Sequence, residues 1–248
     1  MFISTGFLGI HYGVDNKIAK FFVDREPPAN NLYWKDKYLY LRPSPGYLFI
    51  PLIVDLLFKL GIDRQQLLSE EFLNCLEQTG HISALEETKQ ISNAEAIEHC
   101  VALAKESCKN EKWLTAVVNY FRGTADNLFS RITTPFKALH RGDIFLFSLS
   151  ALEFPEELFE KIAQLWFSLI STLLLLDDAE DIDDDRANNE ENAFLESGLD
   201  KEGIERVKKL LSHNLKMIAS INSIMAMKLD KQFAELIEKP HIRQLINQ

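Results

Sequence analysis

The sequence predicts an all-α protein, a multi-helix bundle preceded by an irregular N-terminal extension. Beyond residue 45, apolar residues recur at intervals of three and four, the spacing of one helix face. Helix-capping residues separate these stretches, as in the capping box of Ser92 and Glu95. The first 45 residues instead hold four prolines and alternating aromatic residues. We therefore expect an extension over residues 1–45 and a single helical domain over residues 46–248.

The extension is expected to be irregular and to pack its aromatic side chains on the main body. The alternation of aromatic residues favours one or two short strands, with a hairpin around Trp34–Tyr40. No motif in the extension indicates a second function.

Helix boundaries in the first half of the domain follow from glycine and capping residues. Tyr47–Leu60 is strongly apolar and is expected to end at Gly61, a common residue after a helix C-terminus. Asp63 is expected to cap the next helix, which continues to about Thr79 and stops at Gly80.

Longer helices are expected in the second half of the domain. Lys112–Phe129 is expected to continue or restart the helix that opens at Ser92, with Gly123 as the position of a kink. Pro155 is placed to open a long central helix in its first turn. Asp200 is expected to cap one final long helix, whose apolar spacing runs on to Met225.

Charge and composition limit the classes of partner and compartment. The net charge of -10 argues against general nucleic-acid binding. Nine acids lie between Asp177 and Glu191, where Arg186 is the only cation. The three cysteines lack the spacing of a metal site, which favours a reducing cytoplasmic compartment. The most apolar window, Ile162–Leu176, is shorter than the roughly 20 residues of a membrane span, so we expect a core helix.

The central helix combines an apolar stripe with a row of carboxylates. At about 100° per residue, the stripe and the carboxylates fall on one helix face. The stripe consists of Phe159, Ala163, Trp166, Phe167 and Ile170, and the carboxylates that continue it are Asp177, Asp181 and Asp185.

The carboxylates fit a D-D-x-x-D pattern that is typical of Mg²⁺ sites. Mg²⁺ prefers oxygen ligands and is usually held by one or two carboxylates together with phosphate oxygens. The predicted Mg²⁺ ligands are Asp177, Asp178, Asp181 and Asp185, with Glu180 assisting. Acids at a helix C-terminus also interact unfavourably with the helix dipole. A purely structural helix end would not favour them, so we interpret the motif as functional.

This helix resembles the acidic-motif helix of the class I isoprenoid synthase superfamily. The resemblance covers about 30 residues and implies a bundle of the isoprenoid synthase type. It also implies that Mg²⁺ promotes ionisation of an isoprenoid diphosphate, followed by prenyl transfer or cyclisation, with the apolar stripe lining the substrate cavity. The motif would be the second of the family's two acidic motifs, and a first one is not found upstream. Under this reading, the diphosphate would be bound by basic residues, Arg122, Arg131, Arg141 and Arg186.

Two other interpretations stay open. The chain could be a non-catalytic helical bundle, as a monomer or homodimer, whose acidic segment binds a partner or a metal. It could also be an all-α nucleotide pyrophosphohydrolase, because Glu157-x-x-Glu160 and Asp178-x-x-Asp181 imitate the acidic pairs of that class. No turn signal separates these pairs, so one continuous helix would hold them roughly 30 Å apart.

Overall fold

A computed structural model describes residues 3–26, 28–34, 45–124, 127–240 and 242–243. These residues form thirteen α-helices and no β-strand, so the predicted all-α class is confirmed. In order, the helices are α1 (Thr5–Tyr12), α2 (Asn16–Asp24), α3 (Pro45–Leu60), α4 (Arg64–Leu67), α5 (Glu70–Glu87), α6 (Asn93–Glu106), α7 (Glu111–Phe121), α8 (Leu128–Ile132), α9 (Phe159–Glu180), α10 (Ile182–Asn188), α11 (Ala193–Ser197), α12 (Lys201–Ala219) and α13 (Ser223–Ile237).

Helix α9 is the centre of the fold and packs against α3, α12 and α13. Together with the 3₁₀ turn before it, Glu156–Glu180 is long and apolar enough to cross a membrane, but 72% of its apolar window is buried inside the protein. That burial is typical of the core helix of a globular protein and agrees with the expectation of no transmembrane span.

The N-terminal extension is helical where it was expected to be irregular. Ser4 caps α1, and Asp15 caps α2 by accepting hydrogen bonds from two backbone amides. These capping residues were present in the sequence and outweigh the glycines between them. Within the predicted hairpin, Trp34 lies in a 3₁₀ turn, and residues 35–40 lie outside the described residues.

Trp34 of the extension packs on the main body. Trp34 is buried, and its ring lies directly against Gly80. A Cβ at Gly80 would stand 2.6 Å from Cζ3 of Trp34, which only a glycine avoids. Gly80 therefore lies inside α5 as a packing residue, and the prediction that it stops the helix was wrong.

Several predicted boundaries are confirmed and others are corrected. The helix expected over Lys112–Phe129 ends at Phe121 as α7, and α8 begins at Leu128. Helix α3 ends just before Gly61, which has a φ of 110°. The Ser92–Glu95 capping box is formed as predicted. The final long helix is instead two helices, α12 and α13, because the Asn222 side chain caps α13 and donates to Asp55 and to the backbone of α1.

Candidate functional site

The acidic segment, residues 177–191, begins at the C-terminal end of α9. Asp181 leaves the helix with φ -104° and ψ 12°, and α10 starts directly after it. Helix α10 then ends at Asn189, which adopts a left-handed conformation. The predicted row of Asp177, Asp181 and Asp185 is therefore divided between two helices and does not continue one straight face.

Asp178 is the buried carboxylate of the segment, with 1% of its surface exposed. Its Oδ1 accepts a hydrogen bond from Nη2 of Arg141 at 2.5 Å, and its Oδ2 accepts one from the backbone amide of Ala193 at 2.6 Å. Burial raises the pKa of Asp178 to about 6, while Arg141 acts in the opposite direction. Both oxygens are thus engaged in holding α9, α11 and the Arg141 turn together.

Asn192 completes this bracing network. Its amide nitrogen donates to the backbone carbonyl of Asp178 at 2.7 Å and to Oδ2 of Asp185 at 2.8 Å. Its carbonyl oxygen caps α11. Arg141 also donates to the backbone carbonyl of Glu191 at 2.6 Å. These bonds attach the loop after α10 to the end of α9 and fix the shape of the acidic segment.

The remaining carboxylates differ in exposure. Asp177 is half-buried, and its side chain has no hydrogen bond to another described residue. Burial raises its pKa, and the nearby Asp181 raises it further. Asp181 is exposed, and its pKa is raised by partial burial and by Asp185 and Glu180. Asp183 and Asp184 face solvent. Repulsion among these acids is only partly offset by Arg141.

The residues of the segment do not fit a Mg²⁺ site in this arrangement. Both oxygens of the buried Asp178 already accept hydrogen bonds, and one oxygen of Asp185 accepts a hydrogen bond from Asn192. Within the described part of the chain, no group of three or more His, Cys, Asp or Glu side chains could hold a metal ion. To form a Mg²⁺ site, Asp177 and Asp181 would have to approach each other, and a third ligand would have to join them.

Of the predicted diphosphate ligands, Arg141 lies against the segment and Arg186 within it. Arg141 contacts Asp178, while Arg186 is exposed and lies 3.6 Å from Asp183. Arg122 lies at the C-terminal cap of α7 and Arg131 in α8, both exposed. Glu180, expected to assist metal binding, instead pairs with Lys239 at 2.6 Å.

The apolar stripe of α9 is packed into the core. Phe159 contacts Trp113 with ring centroids 5.3 Å apart, and Phe167 contacts Tyr120 at 6.3 Å. Trp166 and Ala163 are fully buried. Ile170 packs directly on the backbone of Gly142, where an added Cβ would stand 2.5 Å from Cγ2 of Ile170. These contacts are those of a filled interior, not of a cavity wall.

The acidic pairs of the pyrophosphohydrolase interpretation do not face each other. Glu160 and Asp178 lie near opposite ends of α9, about 27 Å apart at 1.5 Å per residue. They cannot hold one metal ion or one diphosphate together.

A buried polar cluster next to Arg141 was not anticipated from the sequence. Asp143 is the first residue of the 3₁₀ helix Asp143–Ala151, and its side chain is buried. Its Oδ2 accepts a hydrogen bond from the Tyr120 hydroxyl at 2.5 Å. Its Oδ1 is buried and has no hydrogen-bond partner among the described residues.

Burial raises the pKa of Asp143 to about 8, so the carboxyl group is largely protonated at neutral pH. The Tyr120 hydroxyl also lies 3.2 Å from Oγ1 of Thr133, which is 3.3 Å from Nε2 of His140. The sequence signal for this burial is the run of four apolar residues, Ile144–Phe147, that follows Asp143.

Comparison of the chain with known protein families, with curated proteins and with solved structures finds no match.

Proposed function

We propose that this protein is a non-catalytic helical domain that binds a basic segment of a partner protein through its acidic segment. The observation that carries the proposal is a set of exposed carboxylates on a braced scaffold above a filled core. This arrangement offers negative charge to a partner, and among the described residues the apolar stripe of α9 is packed against its neighbours.

The charge of the segment supports a cationic partner. Arg186 is the one cation among the nine acids of the segment, and Arg141 and Lys239 pair with two of these acids from other parts of the chain. The raised pKa values of Asp177 and Asp181 reflect burial and mutual repulsion, which a bound cation relieves. Lys or Arg side chains of a partner would pair with the exposed Asp181 and Asp184 and leave the Glu180–Lys239 pair in place.

The bracing network supports binding to a preformed surface. Asp178, Asn192 and Arg141 hold the segment from below, and Asp181, Asp183 and Asp184 stay exposed above them. A surface that is already ordered loses little conformational freedom on binding, which favours affinity.

A titration of a fluorescent Lys- and Arg-rich peptide tests this proposal. We expect binding at low salt that weakens at least tenfold in about 0.3 M salt, because exposed charges are screened. An Asp181→Lys/Asp184→Lys variant should bind at least tenfold more weakly. Glu98→Lys, on the exposed face of α6, is the matched control and should bind as the parent does. Equal binding by all three proteins, or none by the parent, would contradict the proposal.

A second candidate is the Mg²⁺-dependent isoprenoid diphosphate synthase implied by the resemblance. The observation that favours it is the half-buried Asp177 carboxylate, which lies near Asp181 and Asp185 and has no hydrogen bond to another described residue. This candidate requires the α9 stripe to open and predicts release of diphosphate from farnesyl diphosphate with Mg²⁺. Loss of that release in an Asp177→Ala variant would support it, and no release by the parent would exclude it.

A further inference from the structure

The hairpin of α12 and α13 has an open apolar groove on the outside of the fold. The groove has a volume of about 480 Å³. Leu211 and Leu215 line it from α12, and Ala226, Phe233 and Ile237 line it from α13. These positions recur at intervals of four and seven, so on each helix they lie along one face, as in a helix pair that packs against further helices.

Two of the three large apolar side chains that stand exposed among the described residues lie on α13. Met227 is 63% exposed and lines the groove, and Ile224, one turn earlier, is 43% exposed. Exposed apolar side chains that are grouped beside an apolar groove mark an interaction surface.

The two lips of the groove carry opposite charge. Lys208 and Lys216 lie on the α12 lip, and Asp230 lies on the α13 lip. The two helices run antiparallel from the turn around Ile221, so residues equally far from that turn lie at the same level. Asp230 is therefore level with Ser212, and each lysine lies one helical turn, about 6 Å, to either side of it.

We propose that a second copy of this chain covers the groove through a two-fold axis that runs along it. This axis places the cationic α12 lip of each copy opposite the anionic α13 lip of the other. Asp230 of each copy then lies between Lys208 and Lys216 of its partner. The four helices form a bundle in which each helix lies beside antiparallel neighbours.

The shape of the groove agrees with this arrangement. The exposed Met227 of one copy faces the part of the α12 lip that contains Leu215 and Ala219 of the other. A long flexible methionine opposite a small alanine gives the complementarity that a bundle interface requires. The contact is isologous, so it closes as a dimer and does not extend into a filament.

Light scattering coupled to size-exclusion chromatography tests the proposal. We expect a mass of twice the 28.5 kDa of one chain at about 50 μM. Met227→Lys should yield a monomer, because it places a cation against the lysines of the partner. Asp230→Lys should also yield a monomer, and combining it with Lys208→Glu and Lys216→Glu should restore the dimer.

Glu98→Lys, on α6, is the control and should keep the dimer mass. All these positions are exposed, so the helix content by circular dichroism should be unchanged in each variant. A monomeric parent at 50 μM would overturn the proposal. Binding of an amphipathic peptide or of lipid vesicles by that monomer would not rescue it, because the groove would then have a different occupant. A dimer that persists in both Met227→Lys and Asp230→Lys would overturn it equally.

Discussion

Arg141 and Asp178 form a structural ion pair, although Asp178 belongs to a D-D-x-x-D motif that is typical of metal sites. The carboxylate is almost fully buried and has Arg141 and one backbone amide as its hydrogen-bond donors. A buried charge that loses its partner is costly, commonly about 3–5 kcal/mol. The pair therefore acts as a brace between α9 and the turn before Gly142.

We predict that Arg141→Met lowers the free energy of unfolding by about 2–3 kcal/mol at pH 8. The loss is below that of a fully buried pair because the Arg141 side chain is 34% exposed. It should shrink at pH 5, where Asp178 takes up a proton, and adding Asp178→Asn should recover most of it. Urea unfolding measures these values.

Arg186→Met is the matched control, because its pair with Asp183 is exposed. It should change the unfolding free energy by no more than about 0.5 kcal/mol. If Arg141→Met were as stable as this control at pH 8, the buried pair would not be a brace.

The buried Asp143 carboxyl group should make the free energy of unfolding depend on pH. Its folded pKa of about 8 lies above the ordinary 3.8, so the folded protein binds more protons than the unfolded chain between these values. The stability linked to this group is therefore complete below about pH 4 and is lost as the pH rises through about 8. The slope is at most about 1.4 kcal/mol per pH unit.

Urea midpoints from pH 5 to pH 8.5 measure this slope. We expect the parent to lose stability across the range and Asp143→Asn to lose much less. Asp177, Asp178 and Asp181 also have raised pKa values and contribute in the same direction, so some slope remains in the variant. An identical slope in both proteins would show that Asp143 does not titrate as a buried acid.

At the scale of the element, two glycines inside helices, Gly9 in α1 and Gly80 in α5, can be compared by the same substitution to alanine. Gly80→Ala should destabilise the protein by about 1–3 kcal/mol, because the new Cβ collides with the ring of Trp34. Gly9→Ala meets nothing closer than 3.8 Å and should stabilise by up to about 1 kcal/mol. Thermal unfolding compares the two, and a stabilising Gly80→Ala would show that α5 and Trp34 are not in contact.

The elements were predictable where a local signal decides them. The Ser92 capping box and the end of α3 at Gly61 rest on residues adjacent in sequence, and both predictions are confirmed. The prediction for Gly80 was wrong because this glycine makes room for the Trp34 ring, which lies far away in the chain. Asn222 was missed because an uninterrupted apolar spacing hid a turn that is stabilised by Asp55 and α1.

For the whole molecule, the all-α class follows from apolar periodicity and capping residues, and the burial of α9 follows from the shortness of its apolar window. The candidate site follows only in part. The composition located the acidic segment, but it did not show that Asp178 is buried or that the helix breaks at Asp181. Both depend on Arg141 and Asn192, which come from other elements and carry no recognisable spacing.

The charge distribution gives the molecule two different faces. The acidic segment holds much of the net charge of -10, whereas α12 carries more cations than anions along its exposed side. Proposals for a basic partner at one face and a second copy at the other involve separate residues. The variants that test one proposal therefore leave the residues of the other in place, and we expect each set to affect only its own interaction.

The central claim is that the acidic segment binds a cationic partner above a filled core. The most direct test is the thermal midpoint of the parent with a saturating Lys- and Arg-rich peptide, and separately with Mg²⁺ and farnesyl diphosphate. A ligand at 100 times its Kd adds about 2.7 kcal/mol to the free energy of unfolding. We predict such a shift with the peptide and none with Mg²⁺ and the diphosphate. A shift with Mg²⁺ and farnesyl diphosphate that disappears in Asp177→Ala/Asp181→Ala would contradict the account.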